Sequence, residues 1–99
     1  MDPKRVASPK SKIDKGSIHI IYGDSNSYFS IATMIWDGEP RVGIRWNNSG
    51  LKQNGYPVGA FGHPQWFILP KEIAMAYAKQ IGDITIIEKI KATSDEPLK

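Results

Sequence analysis

Catalysis needs a nucleophile with its base, a carboxylate pair, a set of metal ligands or a cradle for a cofactor. The chain is poor in all four. It has no cysteine and only two histidines, His19 and His63, which excludes both a disulfide framework and a thiolate zinc site. His19 stands between Ile18 and Ile20 in a β-branched run and reads as a solvent-face or edge histidine. His63 is better placed, in Gly59-Ala60-Phe61-Gly62-His63-Pro64, because loops on a rigid scaffold tend to carry functional groups; with Tyr56 and Phe61 it makes a candidate loop site. Asp37 and Glu39 are a carboxylate pair in sequence only, since Asp37-Gly38 is explained as a hairpin turn. The glycines at 50, 55, 59 and 62 fit neither GxGxxG nor GxxxxGK[ST], and no serine sits in a GxSxG elbow. No catalytic residue, metal site or cofactor follows from these groups.

Binding chemistry is better represented. Tyr28, Met34 and Trp36 alternate along one segment, and Arg41 and Arg45 along the next. Aromatic rings beside guanidinium groups can stack on nucleic-acid bases or anchor a protein interface. Trp, Tyr, Met and Arg are the types enriched at protein interfaces.

Those residues lie on a hairpin that the turn defines. With Asp37-Gly38 between two β-rich segments, Thr33 falls opposite Val42, Ile31 opposite Ile44 and Phe29 opposite Trp46. Alternation then places Phe29, Ile31, Thr33, Ile35, Val42, Ile44 and Trp46 on one face. The other carries Tyr28, Ser30, Ala32, Met34 and Trp36 with Arg41, Gly43, Arg45 and Asn47. Around the hairpin, Ser17–Tyr22 reads as a first strand closed by Gly23-Asp24-Ser25-Asn26-Ser27, and Gln65–Leu69 as another, with a short edge strand over 56–61. Pro70 suits the start of a helix. Lys71–Ile81 is that helix, with Ile73, Tyr77 and Ile81 as an apolar stripe flanked by Ala74 and Ala78 and with Gly82 as its stop. Ile84–Ile90 reads as a last strand. The expected fold is α+β: a mostly antiparallel β-sheet of four to five strands with one helix packed on one face. A single helix covers a single face, so the Tyr28/Met34/Trp36/Arg41/Arg45 face is expected to stand exposed as the binding surface.

Charge refines the choice of partner. Of 99 residues, 40% are apolar and 23% charged, as in ordinary globular domains. The net charge of +3 resides in residues 1–16, where Lys4, Arg5, Lys10, Lys12 and Lys15 oppose Asp2 and Asp14; the remainder balances eight basic against eight acidic side chains. Only Val6 and Ile13 are sizeable apolar groups there, so residues 1–16 read as a disordered basic arm, 17–91 as the domain and 92–99 as a frayed terminus. A neutral body favours a protein partner or a second copy over nucleic acid. A nucleic-acid binder would rely on the basic arm together with the Tyr/Trp/Arg face. A small enzyme or ligand-binding protein with its site in the 48–64 loop is the remaining alternative. No apolar run approaches the ~20 residues of a membrane span, the N-terminus lacks the apolar stretch of a signal peptide, and zero cysteine fits a cytoplasmic protein.

Val42-Gly43-Ile44-Arg45-Trp46-Asn47, Gly55-Tyr56-Pro57 and Pro64-Gln65-Trp66-Phe67-Ile68-Leu69-Pro70 together resemble a pattern in small uncharacterised proteins of bacteria and their mobile elements, whether borne on gene cassettes or phages. The resemblance covers roughly residues 42–75. It implies a bacterial origin and an accessory protein that acts by binding, and it brings no catalytic residues.

Overall fold

The turn at Asp37-Gly38 sets the architecture. Both residues have positive φ, 52° and 84°, as a two-residue hairpin turn that follows the strand twist requires. In the computed structural model, which describes residues 3, 6, 9, 12–14, 16–24, 26–47, 57 and 65–96, this turn joins β2 (Phe29–Trp36) to β3 (Glu39–Trp46). The register pairs Phe29 with Trp46, Ile31 with Ile44 and Thr33 with Val42, as the turn predicts. β1 (His19–Tyr22) and β4 (Phe67–Leu69) flank the hairpin, giving an antiparallel sheet of order β1-β2-β3-β4. The chain closes with α1 (Lys71–Ile81) and α2 (Ile84–Lys91), so the fold is α+β with two helices rather than one.

The second helix replaces the expected last strand. Asp83 caps it, its carboxylate accepting from the backbone N–H groups of Thr85 at 2.9 Å and Ile86 at 3.4 Å. Such a cap satisfies donors that a helix start leaves orphaned. Ile86 and Ile90 then fall one turn apart, and with Ile87 they face the core. The β-branched composition suggested a strand, but local propensity yields to a capped segment whose apolar residues also recur at helical spacing. In α1 the buried centre is Ala74 and Ala78, while Ile73 and Ile81 remain largely exposed. Small residues let the helix approach the sheet, and the isoleucines fall on the flank. Gly82, at φ 78°, ends α1 and donates to Ala78 O.

Both faces of the sheet are covered, which corrects the expectation of an exposed outer face. Ile31 and Val42 pack under the helices with Ala74, Ala78 and Ile90. On the opposite face Ala32 and Met34 pack with Val6, Ile13 and Trp66. Val6 is 1% exposed, and its carbonyl accepts a 2.7 Å hydrogen bond from Trp66 Nε1. Ile13 bridges antiparallel to Trp36; beside it, Asp14 N–H donates to Ile35 O and Asp37 N–H to Lys12 O. Val6 and Ile13 of the expected arm are therefore part of the core, because two apolar side chains suffice once a strand edge and a buried tryptophan meet them. At the other end Thr93 is buried and Ser94 N–H donates to Pro40 O, so the chain is anchored past residue 92. The strand expected over 56–61 lies outside the described residues except for Pro57.

Two outcomes follow. Asp83→Ala should lower unfolding stability in urea by about 1 kcal/mol through loss of the cap. Ile13→Ala should cost about 2–5 kcal/mol, as for a buried isoleucine; a loss below about 0.5 kcal/mol would mean that the segment does not pack on the sheet.

Candidate functional site

Of the five residues expected to form a binding face, only Tyr28 is exposed. Met34 and Arg45 are buried, Arg41 is nearly so, and Trp36 is half-buried against the second core. The guanidinium groups are held by the backbone. Arg45 Nη1 donates to Gln65 O at 2.6 Å, and its burial pulls its pKa down from the ordinary guanidinium value to about 10, which still leaves it charged at neutral pH. Arg41 Nη1 donates to Ser94 O and Glu96 O, and Nη2 pairs with Glu39 at 2.9 Å. Lys71 Nζ donates to Lys91 O and Thr93 O. These cations tie the segment after α2 to the sheet, around a pocket of about 700 Å³. They are structural clasps and offer no free basic stripe.

Among the described residues, the remaining expected groups do not assemble into a site. His19 is exposed beside Lys89 of α2, with its Nε2 in contact with Nζ. Lys12 pairs loosely with Asp37 at 3.5 Å. Lys4, Arg5, Lys10, Lys15, Tyr56, Phe61 and His63 lie outside the described residues. Among the described residues no three His, Cys, Asp or Glu side chains gather as metal ligands.

The exposed apolar surface lies on the helix side of the sheet. α1 begins immediately after β4, at one sheet edge, yet its Tyr77 meets Tyr22 of β1 at the other edge, with rings 6.2 Å apart and edge-on. The helix therefore crosses the sheet obliquely. That crossing leaves uncovered the corner where β2 begins, β3 ends and β4 begins. There Phe29, Ile44, Trp46, Phe67 and Pro57, with buried Arg45, line a hollow of about 530 Å³. Trp46 is 54% and Phe67 61% exposed. The rings form a continuous series: Trp46 stands edge-on to Phe29 at 6.2 Å, Phe29 stacks on Tyr22 at 4.9 Å, and Tyr22 reaches Tyr77. Burial first, and then the neighbouring Tyr22, raises the pKa of Tyr77.

Asn47 holds the corner in place. Fully buried, it donates through Nδ2 to Asp24 O, Ser27 O and Ser30 Oγ at 3.0, 3.0 and 2.7 Å, and its backbone N–H donates to Tyr28 O. The β1–β2 connection is thus fastened to the end of β3, beside Phe29 and Trp46. Gly23 belongs to the same knot: at φ 84° a Cβ there would lie 2.2 Å from Phe29 O. Sequence reading placed Phe29, Ile44 and Trp46 on one face correctly, but it treated that face as wholly interior. The signal available was the position of Trp46 and Phe29 at the far end of the hairpin from the turn.

Compared with protein-family models, curated proteins and solved structures, the chain matches none. The site is therefore read from its own geometry. Asn47→Ala removes the donor to Ser27 O and to the buried Ser30 hydroxyl and leaves Asp24 O with the Ser27 N–H alone, and should cost about 2 kcal/mol. The same substitution should speed amide hydrogen exchange at residues 23–24 and 26–28; unchanged exchange would show that Asn47 does not hold the loop.

Proposed function

We propose that the protein is a small binding module that recognises a protein partner through the aromatic corner formed by Phe29, Trp46 and Phe67. The observation that carries this reading is the hollow between exposed aromatic rings that the described residues leave open. Large rigid rings around an apolar depression are the composition of interface anchors, which gain contact area with little loss of side-chain freedom. The placement of charge supports a protein over nucleic acid, because Arg41 and Arg45 are engaged inside the molecule and base recognition draws on free basic groups beside its stacking platform. The resemblance to small proteins of bacterial mobile elements fits a chain that acts by binding, by analogy alone. A chain without cysteine suits a reducing compartment, and the reading places the protein in the cytoplasm.

The test is capture by the full chain from a bacterial lysate, in parallel with the variant Trp46→Ser/Phe67→Ser. Both side chains are largely exposed, so the variant should melt within about 5 °C of the wild type while losing the captured protein. Amide NMR shifts on adding that protein to the wild type should concentrate at residues 29, 44, 46 and 67. Shifts confined to Lys12 and its neighbours, or capture of nucleic acid that the variant retains, would overturn the reading.

A further inference from the structure

The aromatic corner is self-complementary. We infer that its occupant is a second copy of this chain, forming a two-fold dimer in which the exposed rings of each copy enter the hollow of the other. This inference rests on the corner being a protein-binding surface. Three observations favour a second copy over a different partner.

The first is area. Tyr22, Trp46 and Phe67 are 40%, 54% and 61% exposed, which at 150–250 Å² per aromatic side chain leaves roughly 300 Å² of ring surface in one patch. Ile73 and Ile81 stand one turn either side of Tyr77 on the same face of α1 and are also largely exposed. With them the patch reaches on the order of 500 Å², near the upper end for a monomer and most of the apolar centre of an interface burying about 800 Å² per partner.

The second is charge. A two-fold interface sets a patch against its own copy, so a charged patch would repel itself. Among the described residues that line the hollow, the charged one is Arg45, which is 1% exposed and bonded to Gln65 O. The third is shape. Projecting rings and a hollow of about 530 Å³ occupy the same patch, and a self-complementary contact requires both on one surface.

The experiment is sedimentation velocity of the full chain from about 1 to 300 µM, a range that spans the affinities of modest interfaces. The wild type should shift from monomer to dimer within it. Trp46→Ser/Phe67→Ser should weaken the dimer roughly thirtyfold or more, the usual consequence of truncating central aromatic anchors. Ile73→Lys, on the exposed flank of α1, should weaken it independently by placing like charges across the interface, and it keeps the test open should the double variant misfold. A wild type that stays monomeric throughout overturns the dimer, as does a dimer indifferent to both variants. A monomeric wild type that still loses a captured protein on Trp46→Ser/Phe67→Ser overturns self-association alone, whereas loss of neither contact overturns the binding reading as well.

Discussion

The register of the β2–β3 hairpin is the constraint on which the rest of the molecule depends. Side chains alternate faces along a strand, so a slip of one residue would exchange the two faces completely. With the Asp37-Gly38 turn at positive φ in both residues, Ile31 and Val42 go under the helices and Met34 and Arg45 go to the opposite core. The same parity brings Phe29, Ile44 and Trp46 to the helix side, where they meet Phe67 of β4. Both cores and the aromatic corner thus share one two-residue turn.

Much of this was legible in the sequence. Asp-Gly between β-rich segments fixed the pairing of Phe29 with Trp46, and Pro70 and Gly82 bounded α1 as observed. What alternation cannot supply is which face is covered, and by what. Met34, Arg41 and Arg45 share one face as alternation predicts, yet they are interior because distant parts of the chain reach them: Val6, Ile13 and Trp66 pack with Met34, Gln65 O accepts from Arg45, and Ser94 O and Glu96 O accept from Arg41. Such contacts leave little local trace, since an isolated valine among lysines and serines looks like part of a tail. The α2 segment failed for another reason. Four isoleucines in seven residues suit a strand by composition and a helix by spacing, and the deciding group is the preceding Asp83, which caps the helix.

Arginine burial carries the electrostatic consequence. Arg41 and Arg45 looked like a basic accent on a surface, but both work as crosslinks to backbone carbonyls. Arginine suits that role because its several fixed donors can hold more than one acceptor while its charge remains at neutral pH. Lys71 performs a similar task at the start of α1, binding the carbonyls of Lys91 and Thr93. Residues after α2 are thereby held to the sheet by cations rather than by a further apolar layer. The two arginines of the hairpin are thus engaged inside the fold rather than presented at its surface.

The remaining exposed rings then have a geometric origin. Two helices must cover the sheet, and the first crosses obliquely from the β4 edge toward β1, as the contact of Tyr77 with Tyr22 records. An 11-residue helix spans about 16 Å, whereas each eight-residue hairpin strand spans about 26 Å. An oblique rod shorter than the strands beneath it leaves one corner bare. In a domain that recruits even Val6 and Ile13 to close its other face, the corner lined by Trp46 and Phe67 is the place where the described residues leave the sheet's apolar layer open.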